Sequence, residues 1–390
     1  MPRNAEPEAT PGKRSLKKGS GLLMSISVIG FLCFLAVVLW INYPKPRLQP
    51  EPLSPELKTI IEHIPGKSDA LIYVGLKDIR ESALWQKIIP DSLKKAPLFQ
   101  SKGRLNTLIK SANINPSMDV DTLLISFKRH GYKEQEFLGV GWGPFLQKLP
   151  ESFLRKNSTT SEIIGGRQCY SMDSTLWLCP LSSRKIAMAS NRKMLKEFLI
   201  PTGSFYKRDS LSTTLINKAV YKSHLWFALP SAAWTSGALQ SLTSANGDIQ
   251  TLGNLHSIQN LALSLKFNNG LEGESEWVYA TPKGAYFAST FLWGALKLSE
   301  LSGTRTGGQT KQLLNKIEIQ QNLQSVIIHA RLPIELFQHA KVSTISSRLK
   351  SCLRNACIDL RVCSQSLPRS AHQSSIADCK CPAVSASPGL

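Results

Sequence analysis

Residues 261–280 read LALSLKFNNGLEGESEWVYA: an apolar run, an Asn-Asn-Gly turn and a return strand. Asn-Gly between apolar runs is a strong local hairpin signal, since both residues tolerate positive φ. Residues 123–142, LLISFKRHGYKEQEFLGVGW, repeat the plan, with Leu123–Lys128, a turn at His130-Gly131 and a return over Phe137–Trp142. Working outward, the two hairpins have matching neighbours. An apolar strand precedes each, Leu71–Gly75 and Leu225–Leu229, followed by a helical stretch in which Ser82 and Gln86 correspond to Ser236 and Gln240. After each hairpin comes a second helical stretch, weak over Pro144–Leu154 and strong over Ala285–Leu301. Closing strands follow at Lys185–Ala189 and Ser325–Ala330. Strand, helix, hairpin, helix, strand is the split-βαβ order. The sequence therefore predicts an α+β fold of two tandem split-βαβ (ferredoxin-like) units with antiparallel sheets, the first over residues 56–205 and the second over 206–340. Identities between the copies are few, so this duplication rests on element order.

Upstream, Gly21–Tyr43 reads GLLMSISVIGFLCFLAVVLWINY without a charged residue, behind Lys13, Arg14, Lys17 and Lys18. At about 1.5 Å per residue a helix of that length crosses a hydrocarbon core of about 30 Å. The run exceeds the usual signal-peptide core and ends in bulky residues, Leu39 to Tyr43, where a peptidase needs small ones. The expectation is an N-terminal transmembrane helix, a membrane anchor from Gly21 to Tyr43, in a single-pass signal-anchor protein of the inner (plasma) membrane. The preceding cations put residues 1–20 in the cytoplasm and the bulk of the chain in an extracytoplasmic, periplasmic domain. Membrane lipid is then one partner, through the N-terminal helix. Residues 44–55, with Pro44, Pro46, Pro50, Pro52 and Pro55, form a stiff linker. Ser54 followed by Pro55 is a helix start, with Ser as N-cap and Pro in the first turn.

The chain has 390 residues, 42% hydrophobic and 19% charged, a globular composition. Its net charge is +20, but the basic residues are dispersed among apolar and acidic ones. Dispersed positive charge attracts anionic surfaces loosely. It favours an acidic lipid surface or envelope polymer over nucleic acid, and no nucleic-acid partner is expected. Residues 341–390 lack Phe, Trp and Tyr. Val342, Ile345, Leu349 and Leu353 recur at helical spacing, so a helix extends to about Arg361, before a Cys/Ser-rich disordered tail.

Cys169 and Cys179 flank a turn at Met172–Thr175 and would face each other across adjacent strands. They form a candidate disulfide in an oxidising compartment, or else two buried free thiols. Cys379, Cys381 and His372 offer soft metal ligands, but one C-x-C does not make the paired spacing of a zinc site, so no metal is assigned. No G-x-S-x-G elbow occurs, and the glycines Gly303–Gly308 are not followed by Gly-Lys-Ser/Thr, which excludes a phosphate-binding P-loop. Asp119 and Asp121 are too few for a calcium site. Gly139, Gly141 and Gly143 suggest a bulge or close packing. Trp85, Trp142, Trp177, Trp226, Trp234, Trp277 and Trp293, spread over both halves, read as core. No catalytic residue and no cofactor is expected.

The anchor run, Ser68-Asp69-Ala70 entering the first strand, Ser82 to Trp85 in the next helix and the exit Arg331-Leu332-Pro333 give the chain a recognisable plan. It resembles, over about residues 15–340, uncharacterised bacterial single-pass membrane-anchored envelope proteins with a duplicated α+β exported region. That resemblance implies no catalytic residues. The expected function is a membrane-anchored, non-enzymatic interaction or scaffold protein of the cell envelope with an envelope protein partner. The alternatives are a module binding lipid or a small amphiphile in an interdomain cleft, and an envelope hydrolase.

Overall fold

The computed structural model describes residues 28–36, 47–94, 104–130, 134–236, 257–301 and 312–338. The strands are β1 Ala70–Gly75, β2 Thr122–His130, β3 Glu134–Trp142, β4 Thr160–Ile164, β5 Arg167–Asp173 and β6 Leu176–Ser182, then β7 Lys185–Ala189, β8 Leu225–Leu229, β9 Ile258–Phe267, β10 Gly270–Tyr279, β11 Ile317–Asn322 and β12 Ser325–Pro333. The first helices are α1 (residues 28–36), α2 Pro55–Glu62, α3 Leu76–Glu81, α4 Ala83–Ile88, α5 Asp91–Lys94, α6 Arg104–Ser111, α7 Pro116–Asp119 and α8 Glu151–Asn157. The remainder are α9 Arg192–Leu199, α10 Phe205–Arg208, α11 Ser210–Lys218, α12 (residues 232–236), α13 Pro282–Leu301, α14 (residues 312–314) and α15 Glu335–Gln338.

All twelve strands belong to one sheet, in the order β11-β12-β10-β9-β8-β1-β2-β3-β7-β6-β5-β4, and every neighbouring pair is antiparallel. This corrects the two tandem split-βαβ (ferredoxin-like) units. A split βαβ unit sets strands joined through a helix parallel, whereas here β1 lies directly beside β2, antiparallel, from Ala70↔Phe127 to Gly75↔Thr122. The other edge of β1 pairs with β8, from Leu71↔Ala228 to Val74↔Leu225, and this ladder fuses the sheet at its centre. Each strand satisfies the exposed main-chain edge of the other. Outward from that seam the order is β1-β2-β3-β7-β6 on one side and β8-β9-β10-β12-β11 on the other. The first side continues through β5 and β4.

The transmembrane helix is also corrected. Among the described residues no helix is long and apolar enough to cross a membrane. Of the run Gly21–Tyr43 the described part is α1, residues 28–36. The rest of the run lies outside the described residues, so the single-pass signal-anchor reading has no spanning helix behind it.

Period-two alternation sends each strand's side chains to two layers. β8 directs Trp226 and Ala228 to one face, Phe227 and Leu229 to the other. The first face carries the largest core, where Leu71, Tyr73, Leu124, Leu138, Val140 and Trp226 meet α2, α9, α10 and α11. The opposite face holds two cores. One gathers Tyr170, Leu178 and Ile186 beneath α6, the 3-10 turn Pro144–Lys148 and α8. The other gathers Phe227, Leu261, Tyr279 and Val326 beneath α13.

Local chemistry explains the element ends. Ser54 caps α2, its Oγ accepting from Leu57 N–H at 3.3 Å. The β9–β10 turn is Asn268–Asn269, and Gly270 opens β10 because a Cβ there would lie 2.3 Å from the Leu332 carbonyl oxygen. Gly143, at φ 150°, is the close-packed member of its glycine series: a Cβ would lie 2.4 Å from Asp119 O.

Candidate functional site

Cys169 and Cys179 lie on β5 and β6, whose register places Tyr170 opposite Leu178. Both are free thiols, fully buried in the largest core. The neighbouring Cys169 sulfur, and then burial, push the Cys179 thiol well above its ordinary range, so a nucleophilic thiolate is disfavoured. Asp119 and Asp121 are taken up by ion pairs, Asp119 with Lys148 at 2.6 Å, Asp121 with Arg80 at 3.1 Å and Arg184 at 2.8 Å. Among the described residues no group of His, Cys, Asp and Glu side chains is arranged to hold a metal. Cys379, Cys381, His372, Gly303–Gly308 and the helix expected from Val342 lie outside the described residues.

One Ser–His pair escaped the sequence reading, because adjacent residues carry no motif. Ser223 Oγ lies 2.9 Å from His224 Nδ1, ahead of β8. Burial lowers the His224 pKa, with the nearby Asp78 carboxylate opposing. His224 is buried, its ring 6.2 Å from Phe267, and Ser223 is half-buried. The hydroxyl also reaches Glu51 Oε2 at 3.5 Å. These contacts tie the start of β8 to Glu51. The seam between the halves is filled, with Tyr73 and Trp226 stacked at 5.6 Å. A surface depression lined by Glu151, Ser152, Arg155 and Lys156 has no histidine, and its carboxylate is paired with Arg155 at 2.9 Å.

A buried charge cluster lies where the apolar face of the sheet gives out. β10 reads Glu272, Glu274, Glu276 at alternate positions, so all three point to the face that β1, β2 and β3 fill with hydrocarbon. Residues 47–54 cross this face as a strap. Arg47 Nη2 reaches Glu276 Oε2 at 2.6 Å, Glu274 Oε1 at 3.2 Å and the Lys218 carbonyl at 2.8 Å. Lys218 Nζ reaches Glu276 Oε1 at 2.5 Å. Glu51 accepts from Lys266 Nζ at 2.6 Å and from Lys222 N–H at 2.9 Å, and its own N–H donates to Val220 O at 2.8 Å. Lys222 is itself buried, its Nζ donating to the carbonyls of Ile216 and Ala219, and burial lowers its pKa to about 8. Burial raises the Glu274 pKa against the pull of Arg47. His329, buried on β12 opposite Glu274, has both ring nitrogens without a hydrogen bond, and Nδ1 lies 3.8 Å from Glu274 Oε2.

The third feature is α13. Ala285, Ala288 and Leu292 seat it on Tyr279, Val326, Ile319 and Ile328. Its other side exposes Phe287 (51%), Phe291 (54%), Trp293 (54%) and Leu298 (68%), with Tyr286 beside them. Trp293 was expected in the core, and the structure places it outside. Beyond α1, all the exposed large aromatic side chains among the described residues are on α13. Nothing lies within 4 Å of a Cβ built on Gly294, so that stretch of the outer side is open. The signal in the sequence is the charge-free interval between Lys283 and Lys297. It leaves no polar stripe for a helix lying at the surface.

No protein-family model matches this chain, and no curated protein sequence matches it. Among solved structures, a chain described as "Structure of crystal form I of TP0453" aligns with 76% of this chain and 98% of its own length, at 13% identity and a TM-score of 0.37. A likeness of that degree assigns neither family nor function.

Proposed function

We propose that this chain is a non-enzymatic interaction or scaffold protein of the cell envelope, on the extracytoplasmic side of the plasma membrane. One observation carries this reading. A twenty-residue helix, held on a broad sheet by one apolar side, turns a second apolar side outward. A soluble domain with no partner for that surface would be expected to carry charge there, since exposed contiguous apolar patches mark interaction sites. The dispersed charge of +20 fits an environment rich in anionic surfaces. The filled seam weighs against a ligand cleft, and the burial of His224 beside a serine shared with Glu51 weighs against a hydrolase.

The test uses the full chain in cells. Phe287→Glu with Phe291→Glu should release most of the protein from the envelope fraction while leaving its melting temperature unchanged. Undiminished association with the envelope would show that α13 is not the working surface.

A further inference from the structure

We propose that the outer face of α13 lies against an anionic lipid surface, with Phe287, Phe291, Trp293 and Leu298 seated at the boundary between headgroups and acyl chains. The proposal rests on the interaction reading above and names its partner.

The first argument is an internal contrast. The first half of the sheet has a helix at the corresponding place, following its third strand. There the chain breaks into Pro144–Lys148 and α8, buries Leu146, Leu149 and Leu154, and turns Glu151, Ser152, Arg155 and Lys156 outward. Arg155 and Glu151 pair across one turn at 2.9 Å. A helix covering this sheet can therefore end in ordinary charged surface. The aromatic outer side of α13 is an addition that the fold does not require.

The second argument concerns which partner fits. Protein interfaces carry about one hydrogen bond per 100–200 Å² and a polar rim that fixes orientation. The stripe Phe287, Phe291, Leu298 offers hydrocarbon and little else, with Gly294 between its last two members. Lipid requires no matching donors. Trp293 and Tyr286 add rings with one polar atom each, the side-chain type that favours the membrane–water interface.

Charge supplies the third argument. Lys283 stands exposed at the start of the aromatic stretch, its Nζ 5.9 Å from the Phe287 ring centroid. A lysine level with the headgroups, on a chain of net charge +20, is complementary to acidic lipid. The sheet backs the helix, so α13 would lie along the surface without crossing it.

The experiment uses the purified full chain and vesicles of phosphatidylglycerol and phosphatidylcholine with brominated acyl chains, which quench nearby tryptophan. The chain has eight tryptophans, so Trp293 is isolated by subtracting the Trp293→Phe variant. The expected result is that the difference signal is quenched, and that binding is about tenfold weaker on neutral phosphatidylcholine alone. Phe287→Glu with Phe291→Glu should weaken binding to the anionic vesicles by at least about tenfold. A difference signal without quenching overturns the proposal. So does vesicle binding that the double variant leaves intact, because α1 or the basic N-terminus would then be responsible. A wild-type dimer in sedimentation velocity that the double variant abolishes would place a second copy on this face and also overturn it. If vesicle binding fails but the double variant still leaves the envelope fraction, the lipid assignment falls and a protein partner for α13 stands. If neither changes, the interaction reading falls with it.

Discussion

The two halves of the sheet follow one strand order outward from the seam, yet they dispose of their side chains in opposite ways. In the first half, β3 offers Leu138 and Val140 to the main core, and the helix beyond it shows charge to the outside. In the second, β10 buries Glu274 and Glu276 at that face, and α13 shows aromatic rings to the outside. The buried Asp, Glu, Lys and His side chains among the described residues all fall between Asp209 and His329. One backbone plan thus supports a conventional half and an inverted half. The inversion is held by a specific device, the strap from Arg47 to Ser54, which brings counter-charges to the part of the face where the main core gives out. Burying an ion pair gains little net stability compared with packed hydrocarbon. The exposed face of the second half is where the proposed interaction is tested.

The strongest way to break that contrast is to remove the strap's cation. Arg47→Ala leaves Glu274 and Glu276 buried with less counter-charge, and breaking a buried pair costs about 3–5 kcal/mol. A fall of several degrees in melting temperature is expected, recovered in large part by adding Glu274→Leu and Glu276→Val, which copy the chemistry of β3. An Arg47→Ala protein as stable as wild type would mean that the strap does not hold the second half.

Next comes a paired truncation on the two corresponding helices. Leu154→Ala, at a fully buried position on α8, should cost about 2–5 kcal/mol. Phe291→Ala on α13 removes a larger side chain but should cost less than about 0.5 kcal/mol, since its ring lies outside the core. Denaturant unfolding of both variants measures the difference. Equal losses would show that the outer face of α13 is packed against something in the isolated chain.

The smallest effect is a pH dependence confined to the inverted half. Burial lowers the His329 pKa, and Arg331 adds to the shift, while Glu272 and Glu318 oppose it. A base with a depressed folded pKa contributes stability that is present above its ordinary value of 6.5 and is lost as pH falls from there through the lowered folded value. Glu274, whose pKa is raised, acts in the other sense, losing stability as pH rises above its ordinary 4.5. Between pH 7.5 and 5.5 the melting temperature should fall by about 1–3 °C, with His329→Leu flattening part of the slope. An identical slope in that variant would move the titration to His224, whose pKa burial also lowers.

Much of the local structure is legible in the residues. Ser54-Pro55 marks the start of α2, LWFAL over Leu225–Leu229 is β8 to the residue, and Lys185–Ala189 is β7. Each depends on neighbours a few positions away, such as a cap or an apolar run. The charge-free stretch of α13 was equally visible, but a sequence does not say which side of an apolar helix is covered. Trp226 and Trp293 look alike in the chain, and one is fully buried while the other is more than half exposed. The reading of Gly21–Tyr43 is corrected too: a charge-free run names a candidate span, and no helix among the described residues is long and apolar enough to be one.

The sequence by itself determined the alternation of the strands, the Asn268–Asn269 turn and the charge-free span of α13. These follow from backbone sterics and side-chain period, which act over a few residues. Tertiary structure alone decided that β1 and β8 join edge to edge, that the strap reaches Glu274 and Glu276, and that one side of α13 faces out. Main-chain edges carry the same donors and acceptors in every strand, so pairing partners are settled by what packs above and below them. Arg47 and Glu274 stand more than two hundred residues apart in the chain, and only the completed sheet brings them together.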